Sequence, residues 1–358
     1  IFTVSELLNN RGFIFFTSRG VIKKTSLDKF ETNYSKLVAI KLKEGEKLVD
    51  IQLYDSGRVE QYINIKTKEG LCFSVDEPKL EVIDRNLLGT QLFNLSSIDE
   101  VVEIQYTKEF NHKTFIVNVD KNGFIKISNK KAHKNSYSCV TNSLSKLLIF
   151  GDKGSVFKLS SNMIQNIDSN GIKLNKLIDD FNEKEETIIN IFSVLDFDED
   201  SSLYFFSKFG YVKRTLLSEF NGEYTSTKGY KLKSENDNLI NVKLSDDKIN
   251  KDILLISKDA MCIRFESGSI NVMGKIASGV TGISLRDNDE VIYAEFIIYR
   301  EKNDEIAVDG EDKRNIKLIS KNNIEEEIKL MDIRVQNRAG RGGRLLLLEL
   351  DDCVLKII

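Results

Sequence analysis

Basic side chains recur just after a tight turn at several points of this chain. Lys23 and Lys24 follow a turn at Gly20, and Lys213 and Arg214 follow a turn at Gly210. Ammonium and guanidinium groups repeated at one point of a motif suit a regular row of phosphates. We therefore single out as candidate phosphate-binding residues at the turns Arg19, Lys23, Lys24, Lys153, Lys158, Lys208, Lys213, Arg214 and Arg264.

A second set of bases lies in glycine- or base-rich loops that lead into alternating strands. Its members are Lys228, Lys275, Arg338, Arg341 and Arg344. The run from Arg338 to Arg344 places three guanidinium groups among small residues, which favours phosphate binding by side chains and exposed amides. Any single base after a turn could equally be a solvated strand end, so the hypothesis depends on the repetition. The sequence predicts that the loop bases form a second ring beside the turn bases. Acidic runs such as Asp198-Glu199-Asp200, Glu325-Glu326-Glu327 and Asp351-Asp352 are expected in solvated loops on the opposite side.

Other kinds of chemistry are not indicated. The four cysteines are far apart without a C-x-x-C pair, which favours buried thiols in a reducing compartment over a metal or a disulfide. The two histidines, His112 and His133, lie among polar residues with no cysteine or serine-based motif nearby. We therefore predict no catalytic residue, no metal site and no cofactor in this chain.

The elements that position the bases are repeated hairpins. An apolar strand, a turn and a second strand recur with turns at positions 20, 70, 123, 154, 210, 260 and 323. A unit near 50 residues holds four ordinary strands, the size of a propeller blade. In most units an acidic residue also stands directly before a strand of alternating apolar and polar residues, as in Asp99-Glu100-Val101 and Asp289-Glu290-Val291. The pattern predicts an all-β array of four-stranded sheets with six or seven blades.

The repeats predict one domain over residues 1–358, with no break between the units. Its blades are expected over roughly 10–55, 58–108, 110–147, 148–197, 200–247, 252–300 and 313–358. The unit over 110–147 is the short one, and the unit over 58–108 carries few bases at its turn.

Composition limits the class of partner without naming it. The chain has 358 residues, 30% of them charged, and a net charge of −3. Total charge therefore gives no argument for a nucleic acid, and the bases would have to gather on one face. No apolar run approaches the roughly 20 residues of a membrane span, and no signal peptide is visible. The chain opens at Ile1 without methionine, which suggests a fragment of a longer protein.

Three motifs resemble one family. Tyr211-Val212-Lys213-Arg214-Thr215-x-x-Ser218-Glu219-Phe220 resembles the blade motif of the C-terminal domains of type IIA topoisomerase A subunits. The segment 271–285 resembles the next blade of that family, and 336–350 is similar to the final blade in topoisomerase IV of Gram-positive bacteria. The gyrase members of that family carry a Gln-Arg-Arg-Gly-Gly-Lys-Gly box near the start of the domain. No such box occurs near residue 1, so the resemblance favours topoisomerase IV over gyrase.

The resemblance implies a fold, a function and partners. The fold is a β-pinwheel, a propeller-like closed disc whose basic rim binds and bends duplex DNA without sequence preference and guides the transported DNA segment. The domain is non-catalytic by itself and belongs to an ATP-dependent enzyme. Its partners are duplex DNA, the A-subunit cleavage core and the ATPase B subunit, with no membrane. The isolated domain is expected to be monomeric, in the bacterial cytoplasm with the nucleoid.

Two other functions stay open beside this one. The chain could be a gyrase A C-terminal domain that wraps DNA. It could also be a propeller that binds protein, although it has no tryptophan and thus no Trp-Asp dipeptide, and its bases cluster at turns. An enzyme with a central active site is disfavoured because no His/Asp/Glu constellation is visible.

Overall fold

The computed structural model describes residues 10–55, 62–93, 95–107, 112–128, 130, 136–167, 170–298 and 312–358. The fold in these ranges is nearly all-β, as predicted, with one single-turn α-helix, α1 (Ser161–Ile164). Among the described residues, short 3₁₀ turns follow the second strand of five hairpins, at Leu27–Phe30, Glu77–Lys79, Leu217–Phe220, Ser267–Ser269 and Leu330–Asp332, and a sixth, at Leu174–Lys176, follows a two-residue strand.

The strands are as follows, in chain order. The first thirteen are β1 (Arg11–Thr17), β2 (Val21–Ser26), β3 (Leu48–Asp55), β4 (Tyr62–Thr67), β5 (Cys72–Asp76), β6 (Thr90–Gln91), β7 (Val101–Thr107), β8 (Thr114–Asp120), β9 (Phe124–Ser128), β10 (Ser136–Asn142), β11 (Lys146–Gly151), β12 (Ser155–Ser160) and β13 (Ile172–Lys173). The others are β14 (Ile188–Val194), β15 (Ser201–Ser207), β16 (Tyr211–Leu216), β17 (Ser226–Lys228), β18 (Leu239–Asp246), β19 (Lys251–Ser257), β20 (Met261–Glu266), β21 (Val280–Thr281), β22 (Val291–Ile298), β23 (Asn315–Ser320), β24 (Glu325–Lys329), β25 (Gly343–Arg344) and β26 (Val354–Ile357).

Each sheet is built on a hairpin, and a third strand pairs with the first strand of that hairpin. The four-stranded sheets have the orders β3-β1-β2-β6, β10-β8-β9-β13, β14-β11-β12-β17, β18-β15-β16-β21 and β22-β19-β20-β25. In every one of them the fourth strand is only two or three residues long and comes from the following unit of the sequence. Within the described residues, the sheets β5-β4-β7 and β24-β23-β26 have three strands.

The chain forms two compact units. The first comprises Ile1–Leu147 and Leu159–Glu183, and the second comprises Leu148–Lys158 and Lys184–Ile358. The second unit contains the sheets built on β15, β19 and β23 and most of the sheet built on β11. Its core is aromatic at several points, and the rings of Phe150 and Phe205 meet edge to face at 6.0 Å between centroids. Burial of such side chains stabilises the unit by about 1.5–3 kcal/mol each.

The predicted turns coincide with left-handed backbone. Positive φ angles occur at Gly20 (81°), Gly70 (87°), Gly123 (78°), Gly154 (85°), Gly210 (81°), Ala260 (60°) and Asn323 (61°). Glycine adopts this region without a steric penalty, and asparagine tolerates it better than most residues. At all seven positions the turn lies between the two strands of a hairpin, so the repeat read from the sequence is a repeat of structure.

The acidic residues before the third strands accept hydrogen bonds from the backbone of those turns. Oδ1 of Asp289 accepts the backbone N–H groups of Asp259 at 3.0 Å and of Glu290 at 2.9 Å. Asp237 binds the turn at Phe209 in the same way, at 3.0 Å. Asp352 is buried and accepts from Asn322 at 3.1 Å, so the expectation of a solvated loop at this residue is wrong. Similarly, Glu325–Glu327 are exposed but lie in β24 rather than in a loop.

Candidate nucleic-acid interface

Three loops of the second unit lie side by side and carry all five loop bases predicted from the sequence. We call them together the basic track, defined as residues 228–233, 274–282 and 338–344. The backbone N–H of Lys231 donates to the carbonyl of Ala277 at 3.2 Å. The N–H of Ala339 donates to the carbonyl of Gly282 at 2.8 Å. These bonds join the first loop to the second and the second to the third, so the three loops form one continuous surface.

The loops are fixed in place by the short donated strands. Each loop begins or ends in β17, β21 or β25, which pair with β12, β16 and β20. Glycines allow the close approach. A Cβ atom at Gly282 would lie 2.6 Å from Cγ2 of Val212, and one at Gly342 would lie 2.2 Å from the carbonyl oxygen of Cys262. Gly282 and Gly342 are thus required by packing against neighbouring strands.

The first loop presents three exposed lysines. Lys228 donates through Nζ to the carbonyl of Lys153 at 3.1 Å and to Oγ of Ser155 at 3.3 Å. Lys231 and Lys233 are also exposed, and Nζ of Lys233 lies 4.0 Å from the ring centroid of Tyr211. These three lysines and Lys153, together with Tyr230 and Ile276, line an open groove of about 500 Å³.

Lys231 and Lys233 are not among the residues predicted from the sequence. The signal is present, because bases alternate with apolar residues directly after Gly229, and alternation places successive side chains on opposite faces of an extended segment. Only Lys228 is predicted from this run, because it stands next to the glycine.

The second and third loops continue the basic surface. Lys275 is half-buried, with Nζ 5.2 Å from the ring centroid of Tyr224. Arg338 is half-buried as well and donates through Nη1 to the carbonyl of Thr281 at 2.7 Å. Arg341 and Arg344 are exposed. The loop set predicted from the sequence is therefore brought together on one surface, with Arg338 contributing more to loop structure than to the exposed charge.

The turn residues are more mixed. Arg19, in the first unit, donates to the carbonyls of Leu95 at 3.2 Å and of Asp99 at 2.6 Å. Lys208 lies 3.7 Å from the carboxylate of Glu290. Lys153 donates to Oδ1 of Asn238 at 2.7 Å. These three cations are half-buried and already have protein partners, so they are weaker candidates than the exposed bases of the track.

Arg214 has a carboxylate partner of its own. Its Nη2 lies 2.8 Å from Oδ2 of Asp247, and its Nε donates to Oγ of Ser202 at 3.2 Å. The ion pair cancels most of the charge that a phosphate would meet. The structure therefore places Arg214 in a sheet-stabilising contact at the side of β16.

Five predicted residues are buried, and the expectation that their side chains lie at the surface is wrong. They are Lys23, Lys24, Lys158, Lys213 and Arg264. Loops cover Lys23 and Lys213, and 3₁₀ turns of other hairpins cover Lys24, Lys158 and Arg264, so alternation along the second hairpin strand brings neither position to solvent. Their charged groups meet protein partners, and none of the five is available to a phosphate without rearrangement.

The partners of these buried cations are carbonyls, carboxylates and aromatic rings. Lys24 pairs with Glu77 at 2.6 Å. Nζ of Lys158 donates to the carbonyl of Gly222 at 2.6 Å and lies 4.0 Å from the ring centroid of Tyr224. A buried ammonium without such partners would be strongly destabilising.

The two lysines at the third position after the turn have perturbed pKa values. Burial lowers the pKa of Lys213 to about 7, with the carboxylate of Glu219 opposing the shift. Burial also lowers the pKa of Lys23, and the positive charge of Arg85 acts in the same direction. Removal from water disfavours the charged form of an amine. Lys213 therefore changes charge near neutral pH.

Metal sites and membrane spans are not found in the described ranges. No group of three or more His, Cys, Asp or Glu side chains in them could hold a metal ion. In the same ranges no helix is long and apolar enough to span a membrane.

Comparison with known proteins agrees with the repeated hairpins. A family model described as DNA gyrase C-terminal domain, beta-propeller, matches residues 13–55, 145–194, 201–246 and 251–297, more than half of the chain. The A subunit of DNA gyrase from Staphylococcus epidermidis (strain ATCC 12228 / FDA PCI 1200) is 31% identical over 199 residues, covering 55% of this chain and 21% of that protein. The corresponding protein of Staphylococcus aureus (strain NCTC 8325 / PS 47) is 32% identical over 199 residues, with the same coverage.

The chain spans about a fifth of the length of these relatives. Among solved structures, the C-terminal domain of DNA topoisomerase IV has a similar fold, with a TM-score of 0.58 and 20% identity over 70% of this chain and 78% of that one. The matched segments include the hairpins β1–β2, β11–β12, β15–β16 and β19–β20. The chain belongs to the family of DNA gyrase C-terminal domains, the β-propeller domains of type IIA topoisomerase A subunits.

Proposed function

We propose that the basic track binds the phosphate backbone of duplex DNA without sequence preference. One observation carries the proposal: three loops joined by hydrogen bonds present Lys228, Lys231, Lys233, Lys275, Arg341 and Arg344 on one surface of a chain with net charge −3. Lysine and arginine gain affinity there by releasing counterions from DNA. Contacts of this kind fix the path of the duplex and carry no base information.

Bending follows from several contacts along one path. Bending a site of 20–30 bp by 40–90° costs on the order of 1–6 kcal/mol. The extra phosphate contacts that the bend allows must offset this cost. We propose that the track extends beyond one loop for this reason, and that the other partly exposed turn bases, Arg19, Lys153, Lys208 and Arg214, contribute only where their protein partners release them.

In the whole enzyme, the domain would guide the transported DNA segment for an A-subunit cleavage core and an ATPase B subunit in the bacterial cytoplasm. We propose the topoisomerase IV-like form of this role, in which the domain bends DNA as a monomer. The family match and the Staphylococcus relatives keep a gyrase-like wrapping role as the second candidate.

A salt titration tests the binding proposal. Fluorescence anisotropy with two unrelated 40-bp duplexes should give the same affinity, and six phosphate contacts predict a log–log salt slope of roughly −5. A variant with Arg341→Ala and Arg344→Ala should weaken binding on both duplexes and reduce the magnitude of that slope by about 2. A strong preference for one duplex, or an unchanged slope in the variant, would contradict the proposal.

A second experiment separates bending from wrapping. A nicked plasmid is ligated in the presence of the domain, and the linking-number distribution is read after the protein is removed. Wrapping constrains writhe and shifts the distribution, whereas bending in one plane leaves it unchanged. We expect no shift together with faster cyclisation of short duplexes. A shift that grows with protein concentration would support the gyrase-like role instead.

A further inference from the structure

The side chain of Lys213 lies directly under the basic track. Its Nζ donates to the carbonyl of Gly229 at 2.5 Å, of Lys275 at 2.7 Å and of Gly274 at 3.3 Å. Gly229 belongs to the first loop of the track, and Gly274 and Lys275 belong to the second. One buried ammonium therefore joins two loops that come from successive hairpin repeats of the second compact unit.

The surroundings of Lys213 offer it little else. The ring centroids of Phe205 and Tyr230 lie 5.0 and 5.6 Å from Nζ. Among the described residues, no carboxylate lies within ion-pair distance of it, and Glu219 acts on it only at longer range. A well-packed apolar side chain would fill such a place at lower cost than an unpaired cation. The three carbonyls are the feature that requires an ammonium.

We propose that Lys213 is a positioning residue for DNA binding, whose charged ammonium holds the first and second loops of the basic track together. The inference rests on the proposed function, since it concerns the same surface. Gly229 is adjacent to Lys228, and the carbonyl that Lys213 binds in the second loop is that of Lys275 itself. Separation of the loops would therefore misplace two of the phosphate-binding side chains.

The contact depends on the protonation of the amine. An ammonium has three N–H groups for three carbonyls, whereas a neutral amine has two. Burial lowers the pKa of Lys213 to about 7, against the opposing charge of Glu219. The other titratable group that faces the site is Tyr230, whose pKa is raised by burial, so it stays neutral in this range. The amine therefore donates to all three carbonyls below pH 7 and to at most two of them above it, while the lowered pKa means that loss of the proton does not itself drive the loops apart.

Lys23 provides a matched control from the first unit. It occupies the same position of its hairpin, and its Nζ donates to the carbonyls of Ala39 at 3.1 Å and of Leu87 at 2.8 Å. These loops contain none of the residues of the basic track. Substitution of Lys23 thus removes a buried ammonium of the same kind from a different pair of loops.

The experiment measures duplex binding by anisotropy at pH 6.0 and fixed salt, on the full chain. Lys213→Met should bind about tenfold more weakly than wild type, since two misplaced phosphate contacts amount to at least one order of magnitude at moderate salt. The loss of these contacts should also reduce the magnitude of the log–log salt slope by about 2. Lys23→Met should keep the wild-type affinity and slope. A Lys213→Met variant with the wild-type affinity and slope would overturn the inference.

A second measurement does not depend on the folding of the Lys213 variant. Lys228→Ala combined with Lys275→Ala leaves Lys213 in place but removes the side chains through which it acts. This double variant should bind about tenfold more weakly than wild type, and adding Lys213→Met to it should weaken binding no further. A double variant that binds as tightly as wild type contradicts the inference, and so does a further loss of affinity in the triple variant. If instead wild type does not bind DNA, or the Arg341→Ala, Arg344→Ala variant binds as well as wild type at every salt concentration, the proposed function itself fails.

Discussion

Arg264 and Asp252 form a buried ion pair in the sheet built on β19 and β20. Nε of Arg264 lies 2.7 Å from Oδ2 of Asp252, and their side chains are 5% and 2% exposed. Nη1 of Arg264 also donates to the carbonyls of Met331 at 3.2 Å and of Ile333 at 3.1 Å. A guanidinium predicted from the sequence to meet DNA is thus a link between this sheet and the 3₁₀ turn of the next unit.

Arg264→Met should destabilise the fold by about 3–5 kcal/mol, because it leaves Asp252 as an uncompensated buried charge. Urea denaturation followed by circular dichroism measures the change. Arg341→Met, at an exposed site, should change stability by less than about 0.5 kcal/mol. The double variant Arg264→Met, Asp252→Leu should recover much of the loss. Equal midpoints for Arg264→Met and Arg341→Met would show that the pair has no structural role.

Lys231→Ala combined with Lys233→Ala should weaken binding to unrelated duplexes by similar factors. Loss of two phosphate contacts should reduce the magnitude of the log–log salt slope by about 2. The charge-matched control is Lys248→Ala with Lys329→Ala. Both control lysines are exposed, and Lys248 lies at the end of its sheet away from the Gly210 turn. If the control pair reduced the slope equally, binding would reflect diffuse charge and not the track.

Gly342→Ala should weaken both the fold and DNA binding, because Gly342 has a φ of +77° and its added Cβ would lie 2.2 Å from the carbonyl oxygen of Cys262. Strain of this kind costs of the order of 1–3 kcal/mol. Thermal denaturation measures the loss. Gly274→Ala, where no atom lies within 4 Å of the added Cβ, is the control and should change the melting temperature little. A stable Gly342→Ala variant would mean that the third loop is not held against β20.

The stability of the second unit should depend on pH through Lys213. The pKa is about 7 in the folded protein and 10.5 in the unfolded chain. Below pH 7 the folded state carries the full cost of a buried charge, and that cost is relieved as pH rises above 7. The free energy of unfolding of Lys213→Met minus that of wild type should therefore fall between pH 6.5 and pH 9, by up to about 1.4 kcal/mol per pH unit. A difference that stays constant with pH would mean that the ammonium does not titrate in the fold.

The hairpin repeat could be predicted because its signals are local. A turn is marked by glycine in most units and by Asn323 in the last, whereas at Ala260, a residue type that rarely adopts positive φ, only the pattern of the flanking strands marks the turn. The segment from Asn322 to Leu330 has helical propensity, yet its place in the repeat favours a turn and a strand, and β24 is found there. Periodicity of the whole chain outweighs propensity over a few residues.

The burial of the turn bases could not be predicted because its causes are distant in sequence. Lys213 is covered by loops around Gly229 and Gly274, and Lys23 is covered by loops around Ala39 and Leu87. Alternation shows which side chains share a face, but only the path of the returning loops decides whether a face is solvated. The loop bases gave the more useful prediction, because glycine-rich loops that donate a short strand must run along the outside of their sheets.

Donation of the fourth strand by the following unit also has a consequence for synthesis. During translation, β16 emerges from the ribosome well before β21, and β20 well before β25. At about 5–20 residues per second, the outer edge of each nascent sheet stays unpaired for several seconds. Open edges of this kind promote wrong pairing between chains. In β24, whose outer edge receives no strand among the described residues, three consecutive glutamates are exposed. Charged side chains on an edge strand disfavour pairing with another chain, so the acidic run from Glu325 to Glu327 opposes wrong pairing at this edge.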